Sequence, residues 1–180
     1  MSKREISDAT VTAYLETLLW SECFHGMGDD GEDPLVIDGE EYEPGTPIDQ
    51  IDGCDVSDLD TLSPDTVKQA LEDLEGFQGY CLEALGIDPF VFFDPDQIAH
   101  DFCLSRNGHG AGFFDREYTI APTGPAGRPA NSRAVRYADA QPGDVVNLSD
   151  ALQDAAGTFG THGLMVWTDE TGALRMESTS

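Results

Sequence analysis

Apolar positions recur with a helical period in four places along this chain. Val11, Tyr14, Leu15, Leu18 and Leu19 fall at i, i+3, i+4, i+7 and i+8, with Asp8 ahead of them as a cap. Thr10, Glu16 and Thr17 supply the polar face. A second helix is signalled by Ser63 as N-cap, Pro64 at the first helical position and Asp65 at the positive helix end. Val67, Ala70, Leu71, Leu74, Phe77 and Cys81 form its stripe, and Leu85 with Gly86 reads as its stop. A third begins at Asp94 and Pro95, carries Ile98, Ala99, Phe102 and Cys103, and should stop at Arg106, Asn107 and Gly108. A short fourth follows the NLSD of 147–150, with Leu152, Ala155, Ala156 and Phe159 on its apolar side.

Elsewhere the pattern is that of short strands and turns. The LVI of 35–37 runs into Asp38 and Gly39, a strand entering a turn. The GFFD of 112–115 reads as the start of another strand. Residues 164–167 and 174–176 read as a C-terminal hairpin around the DETG of 169–172. The expected fold is therefore α+β, three to four helices packed with a small antiparallel sheet that includes the C-terminal hairpin. One domain spans 1–180, a normal size for a single core. Within it, 26–61 is an acidic, loop-rich connection, and a structureless loop of that length is unusual enough that part of it should lie over the core. Leu59 and Leu62 would anchor its return. Residues 118–147 are a second interruption, rich in proline and glycine and carrying Arg128, Arg133 and Arg136, read as an extended loop or loose hairpin.

Charge changes the picture most. The 180 residues hold 35 acidic against 9 basic side chains, a formal net charge of −26. Asp outnumbers Glu 22 to 13, and Lys3 and Lys68 are the only lysines. Two readings compete. In molar salt the Debye length shrinks to about 3 Å, so the self-repulsion of such a surface is screened and short carboxylates hold water and cations. A nucleic-acid mimic also needs acid, but has no reason to avoid lysine or prefer Asp. The acid is spread through the chain, thinning only in 118–138, which favours adaptation to salt. Hydrophobic residues at 39% and 16 aromatics argue against a disordered acidic chain. The opening MSKREISD lacks an apolar core and is read as no signal peptide, and no stretch approaches a membrane span of about 20 apolar residues. Cys23, Cys54, Cys81 and Cys103 are widely spaced and read as small buried apolar residues.

Reactive side chains concentrate in AHDFCLSRNGHGAGFFDRE: His100, Asp101, Arg106, Asn107, His109, Asp115 and Arg116. On a helix His100 and Asp101 point about 100° apart and do not pair by spacing alone, whereas Asp96 and His100 at i, i+4 share a face. Arg106 suits the helix C-terminus. A structural account is sufficient for much of the segment: Gly108 stops a helix, Gly110 and Gly112 turn the backbone, one of Phe113 and Phe114 faces inward, and Asp115 with Arg116 is a surface pair. The sharper account is an anion site, in which a Gly-rich turn presents backbone N–H groups beside Arg106, Asn107 and His109. The segment is neither GxGxxG nor GxxxxGK[ST]. No HExxH, CxxC or GxSxG spacing appears, so neither a metal nor another cofactor is expected. Three arginines in 128–136 are few for nucleic acid in high salt, which argues against direct nucleic-acid binding and for pairing with carboxylates.

The segment QIAHDFCLSRNGHGAGFFDRE resembles a motif, HDFxLxRNGHGAGFxDR, of small uncharacterised proteins of tailed phages. The similarity extends to TAYLETLLWSE, to the acidic linker before helix 63–85, and to 148–160 and 164–174. The family usually has tryptophan where Cys103 and Phe114 stand, and joins the motif to the last helix by a short link where this chain inserts about 118–147. The resemblance implies a virus or provirus origin, and the composition a haloarchaeal host with a high-salt cytoplasm. It implies no activity. Three readings follow. The first is an accessory protein binding a host or viral protein, or a phosphate-bearing ligand, through the 106–116 loop. The second is a small enzyme with His100 or His109 as acid/base, Asp115 as orienter and Arg106 or Arg116 holding an anion. The third is an acidic DNA mimic that blocks host nucleases.

Overall fold

Every strong cap signal in the sequence opens a helix in the computed structural model, which describes residues 3–27, 31–54, 62–121, 134–168 and 174–179. Helix α1, Asp8–Ser21, is capped by the Ser7 hydroxyl, which accepts from the Thr10 N–H; Asp8, expected as the cap, lies in the first turn beside the positive helix end. Helix α2, Pro64–Ala84, is capped by Ser63 with Pro64 at its start. Helix α4, Pro95–Arg106, starts from Asp94, whose Oδ1 accepts from the N–H groups of Asp96 and Gln97. Helix α5 runs Ser149–Ala156. A four-residue helix not expected from the pattern, α3 (Pro89–Phe92), precedes α4 and is capped by Asp88.

The architecture is α+β, with five helices among the described residues rather than three to four. Instead of one small sheet there are three separate ones. Strands β1 (Leu35–Ile37) and β2 (Glu40–Tyr42) form a hairpin. Its turn, Asp38 at φ 50° and Gly39 at φ 91°, holds two left-handed residues, as tight hairpins require. Strands β3 (Thr119–Ile120), β4 (Val135–Arg136) and β5 (Val146–Asn147) form a second sheet in which β5 pairs antiparallel with β3 but parallel with β4. Strands β6 (Gly163–Thr168) and β7 (Leu174–Thr179) make the C-terminal hairpin, with Val166 opposite Met176. The expected turn at 169–172 lies outside the described residues, as do Leu59, Arg128 and Arg133. The GFFD segment is not a strand. Phe113–Asp115 is a 3-10 turn closed by the Asp115 N–H on the Gly112 carbonyl.

The core is aromatic. Phe77 of α2 stacks on Phe102 of α4 with ring centroids 4.4 Å apart, and Phe113 also stacks with Phe77 at 5.7 Å. Tyr14 of α1 meets Phe102 at 5.9 Å. Each fully buried Phe or Leu side chain contributes roughly 1.5–3 kcal/mol. Part of the acidic connection covers this core as expected: Leu35, Ile48 and Ile51 are buried, and the 3-10 turn Ile48–Gln50 lies against α1. Cys54, Cys81 and Cys103 are buried free thiols, but Cys23 is exposed. Among the described residues no helix is long and apolar enough to cross a membrane.

Candidate functional site

Helices α1 and α4 pack side by side, and the seven candidate residues lie along α4 and the loop that leaves it. They divide into two networks, one midway along that helix and one at its C-terminal end, plus two outliers.

The first network centres on Asp101. Its carboxylate is fully buried and receives the Tyr118 hydroxyl on Oδ2 at 2.5 Å and the Gln97 amide on Oδ1 at 2.8 Å. Arg116 Nε lies 3.0 Å from Oδ2 and 3.2 Å from Oδ1. His100 Nδ1 lies 2.8 Å from Oδ1. His100 and Asp101 therefore do pair, against the expectation from spacing. The 100° between neighbours on a helix separates their Cα–Cβ directions, but a ring on the flank can lean back onto a short carboxylate at the edge of the buried face. Asp96 does not pair with His100; its Oδ1 accepts from Thr10 Oγ1 at 2.9 Å and ties α4 to α1. Arg116 pairs with Asp101 rather than with Asp115, which is exposed. Burial, then the hydrogen bond to Asp101 and its charge, push the Tyr118 phenol far above its ordinary range.

The second network holds Arg106 and Asn107, and both point inward. Arg106, 8% exposed, donates from Nη1 to Asp73 Oδ2 at 2.5 Å and to the Tyr14 hydroxyl at 3.0 Å. Its Nε and Nη2 both donate to the Gly160 carbonyl, at 2.8 and 2.5 Å. Asn107 grips the backbone of His162 twice, donating to its carbonyl at 2.9 Å and accepting from its N–H at 2.8 Å. His162 Nδ1 sits 2.8 Å from the Tyr14 hydroxyl and 3.0 Å from Asp73 Oδ2. Burial raises the Asp73 carboxyl, but the hydrogen bonds from His162 and Arg106 and the Arg106 charge outweigh it and hold Asp73 below its usual value. Burial pushes the Tyr14 phenol well up. These donors are engaged within the protein, so neither Arg106 nor Asn107 presents a side chain to an external anion. His109 stands apart, with Nε2 3.7 Å from Glu22 Oε1.

Gly112 explains much of the glycine spacing. Its φ is +96°, and a Cβ there would meet Ser105 Oγ at 2.4 Å and the Asp101 carbonyl at 2.7 Å. The loop thus folds back hard against α4, with the Phe113 N–H on Ser105 Oγ. Phe113 is buried and Phe114 is 62% exposed.

The open side of the first network is a recess of about 500 Å³ between α1 and α4, lined by Glu16, Trp20, Asp94, Asp96, Gln97 and His100 among others. Trp20 is 48% exposed, and its ring lies 5.9 Å from that of His100. Trp20 also lines a second recess of about 410 Å³, bounded by Glu16, Asp49, Asp52 and Cys54. Sequence reasoning overlooked Trp20, although a signal was present. At 100° per residue it falls about 180° from Val11, an aromatic on the polar face of α1. Tyr118, Asp73 and His162 had no such signal. Among the described residues no group of three His, Cys, Asp or Glu is placed to hold a metal ion. Comparison with protein-family models, curated proteins and solved structures found no match to the chain.

Proposed function

We propose that this chain is a viral accessory protein that acts by binding a partner protein, and that its binding face is the α1–α4 surface around Trp20 rather than the tip of the glycine-rich loop. One observation carries the reading: a large indole is left 48% exposed where it lines two open recesses at once. Exposed aromatics of this kind anchor interfaces, because they bury much area with few rotatable bonds. This reading takes the partner-protein half of the expected ligand choice over the phosphate half, because Arg106 and Asn107 are turned inward. A haloarchaeal virus or provirus and the host cytoplasm remain the proposed setting, on the phage-protein resemblance and the acidic composition. The test replaces Trp20, and separately Phe114, with a photo-crosslinking amino acid in producing cells. A discrete adduct from position 20, reproduced with the purified partner, supports the face; adducts only from position 114 return the function to the loop.

A second reading, a small enzyme, is favoured by the His100–Asp101 pair at 2.8 Å, in which a buried carboxylate orients a ring that borders a recess. It predicts that any turnover found in a substrate screen disappears in His100→Gln and survives in His109→Gln.

A further inference from the structure

Resting on Trp20 as the binding face, we infer that its occupant is a basic segment of the partner protein, with an arginine guanidinium stacked on the Trp20 indole and held by the carboxylates of the two recesses. The charge on this face is all of one sign. Asp94 and Asp96 line one recess, Asp49 and Asp52 the other, and Glu16 both, all exposed, with no lysine or arginine lining either recess. Four of the described arginines are engaged elsewhere. Arg4 donates to the Phe90 carbonyl, Arg106 to Asp73, Arg116 to Asp101, and Arg136 pairs with Asp150.

An anionic occupant would meet five carboxylates, and a purely apolar one would desolvate them without compensation. A cation over the face of an indole is attracted by the ring quadrupole, most strongly for tryptophan. Arginine fits better than lysine, since its planar group stacks on an aromatic face while its edge still donates to carboxylates. Geometry supports the joint contact. Glu16 and Trp20 are i and i+4 on α1 and so share one face, placing a carboxylate beside any guanidinium on the ring. The arrangement also suits molar salt, because a Debye length of about 3 Å removes long-range attraction but leaves contact-distance pairs and stacking.

The test is fluorescence anisotropy of a labelled hexa-arginine peptide with the full chain, in 0.15 M and 1 M KCl. Trp20→Leu should weaken binding about ten-fold, with Trp20→Phe in between, the order a cation over an aromatic face predicts. Glu16→Gln should weaken it up to about five-fold. Glu83→Gln, which removes the same charge from the exposed side of α2, should leave it within about two-fold of the unaltered protein. Equal effects of Glu16→Gln and Glu83→Gln with no effect of Trp20→Leu would mean the peptide answers only to total charge, and overturns the proposal. So does a peptide that fails to bind at all. In either case an adduct from position 20 would keep the binding face and change only its occupant, whereas loss of that adduct removes the face itself. Unchanged thermal midpoints of the exposed-site variants confirm that folding is not the cause.

Discussion

Replacing Asp101 by Asn removes the charge at the centre of the first network while keeping the side chain's shape. The carboxylate takes Tyr118 on one oxygen, Gln97 and His100 on the other, and Arg116 on both. An amide cannot do this. Whichever way it is turned, its NH₂ faces a donor, Tyr118 on one side or Gln97 on the other. One hydrogen bond to a charged acceptor is lost, worth about 1.5–3 kcal/mol, and one buried donor is left without an acceptor, costing about 1–3 kcal/mol. Arg116 adds little, because its side chain is 48% exposed and water replaces the contact. A loss of about 3 kcal/mol is the lower-middle of this range. For a chain of this length that lowers the thermal midpoint by roughly 6–12 °C. The assay is circular dichroism melting in 2 M KCl, with Asp115→Asn as the partner measurement; Asp115 is exposed, and its change should stay within about 0.5 kcal/mol. If Asp101→Asn melts within about 2 °C of the unaltered protein, the buried carboxylate is not the hub described here.

Four further outcomes are expected. Gly112→Ala should cost more than about 2 kcal/mol, from its positive φ and the clash with Ser105 and the Asp101 carbonyl, whereas Gly110→Ala, with open space around it, should cost about 1 kcal/mol, as read by chemical denaturation. An aromatic disulfide reagent should label Cys23 first; Cys54, Cys81 and Cys103 are buried, with thiols pushed up to about 11, to about 12 and higher still by burial, and should react only on unfolding. Stability should fall above about pH 10: the Tyr118 and Tyr14 phenols are raised in the folded state, so their contribution is complete below the unfolded value near 10 and is lost as pH climbs toward the folded ones, and Tyr118→Phe should flatten that limb. At the acid end Asp73 is lowered, so its contribution holds above about pH 4 and disappears as pH falls below it.

Legibility in the sequence followed the range of the interactions. The caps at Ser63 and Asp94 were readable because the cap, the proline and the acidic first turn are consecutive. The same signal stood at Asp88 and Pro89, but a four-residue helix leaves no periodic stripe to confirm it. The GFFD segment misleads because two aromatics after a glycine resemble a strand, while the positive φ of Gly112 that closes the turn leaves no mark beyond the glycine itself. The parallel pairing of β4 with β5 rests on two-residue strands and could not be read locally. Asp73, Arg106 and His162 lie tens of residues apart, and only the packing of α2, α4 and the approach to β6 brings them together.

The two networks give the RNGHGAGF segment a different meaning from the anion loop its composition suggests. Arg106 and Asn107 clamp the carbonyl of Gly160 and the backbone of His162, fixing the end of α4 to the start of β6. Gly112 lets the chain return against α4, and Arg116 then closes on Asp101. The segment thus braces α4 from its C-terminal end and along its length. With Thr10 holding Asp96 at the other end, the position of α4 against α1 is set at both ends. That crossing is what places His100 beside Trp20 and opens the recess between them. The reactive-looking residues of the motif are mostly the frame, and the surface they hold in place is the one we propose as the binding face.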